Sequence, residues 1–251
     1  MRRIFIKDVL KEKIVITGGD AHHLGHVMRA KAGDRLVVAD DVGSVAEMEI
    51  TGFTAETVEL ALVKYIEEKT ESDINIILAQ CLPKGDKLEL IAQKATELGA
   101  TEIIPLMSRN CVVKYDGKKS KAKVEKWQKI ADEAGKQCGR SRLPKVQDIQ
   151  NFSEWLKKAK EENEETLLMM CYENEEQTGI KTLLNGADNS VKNFVIIIGP
   201  EGGFSLEEAD LAKSLGISSV SLGRRILRAE TAAITAVSIV QYEKGDLGGE
   251  L

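Results

Sequence analysis

Two clusters near the C-terminus carry residue types suited to chemistry. Arg224, Arg225 and Arg228 lie within five residues, interleaved with Leu222-Gly223 and Ile226-Leu227 and followed by Glu230. Guanidinium groups are planar donors suited to an anion, or to negative charge that develops on an oxygen during a reaction. The apolar residues between them set this segment apart from a solvated charge run. The second cluster is Gly199-Pro200-Glu201-Gly202-Gly203. Its glycines let the backbone approach a ligand closely, and Pro200 stiffens the loop. It is not a phosphate loop, because it has neither Gly-x-Gly-x-x-Gly nor Gly-Lys-Ser/Thr. Glu201 would also repel a pyrophosphate. An acidic, glycine-rich loop suits a neutral or cationic ligand, although taken alone it reads equally well as a plain tight turn.

The flanking elements must hold these clusters. Phe194-Val195-Ile196-Ile197-Ile198 is apolar without alternation, the pattern of a strand buried on both faces of a parallel sheet. Ser205 and Glu208 form a Ser-x-x-Glu capping box that starts a helix over 206–215. A strand follows over 218–222, and an alanine-rich helix runs from about 229 to 242. The glycine loop therefore sits between a strand and a helix, where open α/β sheets bind ligands.

Together the two clusters resemble the SPOUT class of S-adenosylmethionine (SAM)-dependent RNA methyltransferases, and within it the RsmE family, which methylates N3 of a uridine in 16S ribosomal RNA. The likeness rests on Gly199-Pro200-Glu201-Gly202-Gly203 and on Leu222-Gly223-Arg224-Arg225-Ile226-Leu227-Arg228-Ala229-Glu230-Thr231-Ala232, in this order. It extends to His22-His23-Leu24-Gly25-His26-Val27-Met28-Arg29, Leu82-Pro83-Lys84-Gly85-Asp86-Lys87, Lys94-Ala95-Thr96-Glu97-Leu98-Gly99 and Ser108-Arg109-Asn110. At 133–140 the chain has Lys136 and Cys138 where the family usually has Glu and Ser, which leaves Gln137 and Arg140 as the matching residues.

Composition is that of a soluble globular protein. The chain has 251 residues, 43% hydrophobic and 30% charged. Aromatics are only 4%, so stacking platforms are not the obvious way to hold RNA. No apolar run reaches membrane-spanning length, and the N-terminal apolar stretch is too short for a signal peptide. Cys81, Cys111, Cys138 and Cys171 are scattered without a Cys-x-x-Cys, as expected of reduced thiols in a cytoplasmic protein. The net charge is −5, yet residues 84–145 hold 15 Lys/Arg against 8 Asp/Glu, whereas residues 146–199 hold 5 Lys against 10 Asp/Glu. That asymmetry fits a basic face for an anionic partner, and also fits ordinary solvated helices.

Residues 1–66 alternate in short runs at 14–16, 35–39, 44–50 and 57–63, separated by Gly/Asp turns, and predict a small β-barrel. One helix over about 21–30, with Asp20 as N-cap, interrupts it and carries His22, His23 and His26. His22 and His26 stand four apart, but no third ligand supports a metal site. A charged linker over 67–73 divides domains at 1–70 and 73–251. Beyond it, a strand over 74–80, a helix over 84–98 ended by Gly99 and a strand over 102–107 open a parallel sheet. A long helix over about 122–138, an acidic helix ending near 165 and a strand over 166–172 follow. General chain topology predicts an open, unknotted sheet.

The resemblance implies more: a PUA-like RNA-binding barrel, then a SPOUT α/β domain with a C-terminal trefoil knot, dimeric through the last helix. Packing of that helix within its own domain is the alternative. It implies SAM held by the backbone of Gly199, Glu201, Gly202 and Gly203, with Leu222, Gly223, Ile226 and Leu227 around the adenine. Arg228 or Arg225 would hold charge on the uracil oxygens, and Glu230 would act as base unless it caps the helix or pairs with an arginine. Arg2, Arg3, Arg29, Lys84, Arg109 and Arg140 would contact phosphates of 16S ribosomal RNA in the assembled small subunit. A non-catalytic RNA-binding protein and a nucleotide-using α/β enzyme are the competing classes. The glycine loop argues against the first, and the missing phosphate motifs against the second.

Overall fold

The computed structural model describes residues 3–162 and 165–249. They divide into two compact units, 1–71 with 135–143, and 72–134 with 144–251. Arg2 lies outside the described residues.

The first unit is a five-stranded sheet. Its strands are β1 (Arg3–Phe5), β2 (Lys13–Thr17), β3 (Arg35–Ala39), β4 (Val45–Phe53) and β5 (Thr57–Ile66), ordered β1-β3-β4-β5-β2. Period-2 alternation along β3 to β5 buries Leu36, Val38, Ala46, Met48, Ile50, Val58 and Leu60 on one side. Register shifts in β4 near Glu47 and Ile50 curl the sheet. The expected barrel is thus a curled sheet, with no ladder pairing β1 to β2 among the described residues. Between β2 and β3 the helix starts at Gly18 rather than Ala21. Helix α1 (Gly18–His22) runs directly into a π-helical turn, His23–Val27. Thr17, not Asp20, is the residue before it.

The second unit is a parallel sheet with helices. Its elements are β6 (Asn75–Cys81), α2 (Lys87–Glu97), β7 (Glu102–Met107), α3 (Gly117–Cys138), β8 (Lys145–Val146), β9 (Gln150–Asn151), α4 (Phe152–Glu162), β10 (Thr166–Cys171), α5 (Ile180–Gly186), β11 (Asn193–Ile198), α6 (Leu206–Ser214), β12 (Ser218–Val220) and α7 (Ala229–Lys244). The sheet order is β12-β10-β11-β6-β7-β8, with β9 also on β7. Phe194 to Ile198 are buried, because β11 is central and has helices over it. Each such side chain contributes about 1.5–3 kcal/mol.

The register places the site. Val220, Cys171, Ile198 and Gln80 form one row across β12, β10, β11 and β6. All four strands run the same way, so the segments after them emerge together at one end of the sheet. From the outer edge the chain bridges Ser221 to Gly179, just beyond β10, and then turns back. Helix α7 comes to rest on α2, α5, β6 and β11, with Ala233, Ala236, Val237 and Val240 buried. Small residues at 232, 233 and 236 allow that close approach. A helix that returns inward past its own edge strand is not the open path that general topology predicts.

Candidate functional site

One cavity of about 470 Å³ opens at this end of the sheet. Its lining contains the whole glycine loop, Gly199 to Gly203, and Ser221 to Ala229 of the arginine segment, and is completed by Cys171, Tyr172, Glu173, Ile198 and Ala232. All eight residues expected at the donor line it: Gly199, Glu201, Gly202, Gly203, Leu222, Gly223, Ile226 and Leu227. Arg225 and Arg228 do as well.

The glycine loop is bonded from several sides. The Gly203 N–H donates to the Pro200 carbonyl at 3.0 Å. Asn110 Nδ2 donates to the carbonyls of Gly202 (3.0 Å) and Gly203 (3.2 Å). The amide of buried Gln80 reaches the Gly199 carbonyl at 3.4 Å. Gly203 has φ +65°, which favours glycine, and a Cβ there would meet the carboxylate of Glu173, an exposed side chain that can move aside. Beyond the loop the capping box forms as expected: Ser205 Oγ accepts from the Glu208 N–H, and Glu208 accepts from the Ser205 N–H. Glu208 also accepts from the Arg109 N–H at 2.8 Å.

Glu201 lines the cavity, but its carboxylate is engaged from behind. It accepts from the Lys84 N–H at 3.2 Å and from Lys87 Nζ at 2.7 Å, tying the loop to the start of α2. Burial works against its charged form, but the Lys87 ammonium and the backbone N–H groups outweigh burial and hold its pKa below the usual glutamate value. Lys87 Nζ also lies 3.3 Å from Glu230 Oε2, an ion pair without hydrogen-bond alignment. The Lys87 pKa is raised, first by Glu201 and less by Glu230. Glu230 is absent from the cavity lining and pairs with Lys87 rather than with an arginine.

The arginine loop is exposed. Arg224, Arg225, Ile226 and Arg228 are open to solvent, with Ile226 89% exposed. None of the three arginines forms an ion pair among the described residues. Gly223 has φ +121°, and its N–H donates to Ser221 Oγ at 3.2 Å.

The phosphate candidates separate into three groups. Arg3 donates to the carbonyls of Gly139 (2.5 Å) and Arg140 (2.6 Å) and pairs with Glu68. Arg140 is 4% exposed and pairs with Glu71 at 2.6 Å. Both are bonded within the first unit, where a phosphate would have to displace a carboxylate. Arg109 pairs with Glu207 at the surface, at 2.6 Å. Arg29 and Lys84 are exposed and form no ion pair among the described residues.

Sequence reasoning missed Cys171, Tyr172 and Glu173 as lining residues. The available signal was their place just after a strand adjacent to β11. Burial pushes the Cys171 thiol up to about 12, so it stays neutral inside the cavity. His22 and His26 have ring centroids 4.7 Å apart, and no group of three potential metal ligands gathers among the described residues.

The residues present fit SAM. The cavity volume lies within the range of small-molecule sites. Backbone of four glycines and aliphatic Ile198, Leu222 and Leu227 offer a base polar edges and apolar faces. Comparison with known proteins agrees. A family model described as an RNA methyltransferase domain matches residues 70–241, and one described as an RNA methyltransferase PUA domain matches residues 16–63. Ribosomal RNA small subunit methyltransferase E of Bacillus subtilis is 34% identical, with all of both chains covered. The enzyme of that name from Synechocystis is 33% identical over 92% of this chain and 74% of its own. A crystal structure of the Neisseria gonorrhoeae enzyme of that name, bound to S-adenosyl methionine, superposes with a TM-score of 0.86 at 28% identity, covering 98% of this chain and 99% of its own. A SAM-bound Legionella pneumophila methyltransferase gives 0.83 at 31% identity, covering 97% and 98%. With a curled PUA-like sheet, a SPOUT α/β domain with a C-terminal trefoil knot, and SAM-bound structural relatives, the chain belongs to the RsmE family of SAM-dependent RNA methyltransferases.

Proposed function

We propose that this protein methylates N3 of a uridine in 16S ribosomal RNA, acting on the assembled small subunit in the cytoplasm. The observation that carries the reading is that one cavity is lined by both the glycine loop and the arginine loop. Bound there, SAM supplies an activated methyl group, so the protein's own task is proximity and orientation, without a metal. The backbone of Gly199 to Gly203 and the aliphatics of the arginine loop hold the donor. Arg228 and Arg225, exposed in the cavity lining, take up negative charge on the uracil oxygens as the N3 proton leaves. Glu230 is engaged by Lys87, so the proton passes to solvent in this reading. Arg29 and Lys84 are the phosphate contacts best supported by exposure. The protein acts as a homodimer through α7, whose Tyr242 is 66% exposed.

The test is incubation with labelled SAM and small subunits from cells lacking the modification, followed by nucleoside analysis. The expected product is 3-methyluridine at one site. A different methylated nucleoside would overturn the base and atom assignment.

A further inference from the structure

Helix α3 breaks a rule of helix electrostatics. The N-terminus of a helix carries partial positive charge and favours acidic side chains. The first turn of α3 has none, Asp116 just before it being the nearest acid, and Lys118, Lys119, Lys121, Lys123 and Lys126 fall within its first ten residues against Glu125 alone. Two of these are neutralised. Lys123 Nζ lies 3.7 Å from Asp86 and Lys126 Nζ 2.5 Å from Glu89, which moors α3 beside the start of α2. Lys118, Lys119 and Lys121 are exposed and form no ion pair among the described residues. Three unneutralised ammonium groups therefore stand together against the helix dipole, in a chain whose net charge is −5. Such an arrangement opposes the stability of its own helix and is relieved by an external polyanion.

Its place in the fold points the same way. The start of α2 holds Lys87, which binds Glu201 of the glycine loop, and also Asp86 and Glu89, which bind α3. The unpaired lysines are thus one helix removed from the donor cavity, at the same end of the sheet. We infer that Lys118, Lys119 and Lys121 form a docking surface for the RNA phosphodiester backbone, distinct from the six basic residues that the family resemblance singles out. The inference rests on RNA being the substrate and adds where its backbone is held. The chemistry is that of point charges: lysine tracks phosphates without reading bases, so this surface contributes affinity and orientation while the arginine loop meets the reacting base.

The experiment compares wild type with the triple variant K118Q/K119Q/K121Q in the full chain. A control variant, K157Q/K160Q/K192Q, removes the same charge elsewhere. Binding to unmethylated small subunits is measured across a potassium chloride series, SAM binding by calorimetry, and Tm by scanning. Each phosphate contact accounts for about 0.7 of the salt slope on single strands, so the slope should fall by about 2 and affinity at 0.15 M salt by roughly ten- to a hundredfold. SAM affinity should be unchanged. Tm should hold or rise by about 1–3 °C, because charge opposing the dipole has been removed. A merely structural role for these lysines would lower Tm instead. Wild-type slope and affinity in the triple variant would overturn the inference, as would an equal loss in the control. If wild type itself binds no subunits, the substrate reading falls together with the surface. If wild type binds and the triple variant matches it, only the surface falls.

Discussion

The two loops that face each other across the donor cavity are held in opposite ways. The loop from Gly199 to Phe204 is bonded by Asn110, Gln80, Lys84 and Lys87, and a complete capping box follows it. The loop from Gly223 to Arg228 has the Ser221 turn behind it, exposes most of its side chains, and its arginines form no ion pair among the described residues. One is a floor fixed by bonds to the rest of its own domain. The other keeps its donors free for groups that arrive later. A methyltransferase gains from this division, because the donor needs a fixed seat while the charge to be stabilised appears only on the acceptor.

The comparison breaks most sharply at Arg228. Arg228→Ala should lower turnover by about 10²- to 10³-fold, as removal of a donor aimed at developing charge does, with SAM affinity within about twofold. Equal loss of SAM binding in calorimetry would move Arg228 to the donor's side. Gly203→Ala should do the reverse. Its positive φ costs about 1–2 kcal/mol for a non-glycine residue, so SAM affinity should weaken on the order of tenfold. Hydrogen exchange sharpens the contrast further: adding SAM should protect amides at 223–228 more than those at 199–204. Equal protection would mean that both loops order on binding.

Smaller effects test the mooring of the floor. Glu201→Gln should weaken SAM binding by about fivefold, roughly 1 kcal/mol for a charged, partly exposed contact. The Glu201 pKa is lowered in the folded loop, so its contribution is complete above the ordinary glutamate range and is lost as pH falls through the lowered value. SAM affinity measured from neutral pH downward should show that acid loss in wild type, and Glu201→Gln should remove it. The smallest effect is expected at Glu230→Gln, with turnover within about twofold and stability changed by less than about 1 kcal/mol. A hundredfold loss of turnover at unchanged stability would restore Glu230 as the base.

Much of the second unit was legible because its strands and helices are long and strongly patterned. The Phe194 to Ile198 run, the Ser205–Glu208 box and the face of α2 with Leu88, Ile91, Ala92 and Ala95 are local signals, and each forms the element expected. Short elements were not legible. β1, β8, β9 and α5 have two to seven residues, too few for periodicity to exceed noise. The π-turn at His23–Val27 depends on one shifted hydrogen bond that residue types do not announce.

The sequence by itself determined the chemistry available. It placed three glycines before a capped helix, and three arginines among aliphatic residues before a slim one, because these are properties of residue type and spacing. Tertiary structure alone decided which charges are free. Arg3 and Arg140 are turned into carboxylates and carbonyls far away in sequence, Glu230 is drawn to Lys87, and Lys118, Lys119 and Lys121 form no ion pair among the described residues. Tertiary structure also brought the ends of β10, β11 and β12 into one row, so that Glu173, which no motif marks, completes the cavity. The reason is range. Backbone propensity acts over a few residues, whereas an ion pair or a shared cavity is set by groups that meet only after the chain has folded back on itself.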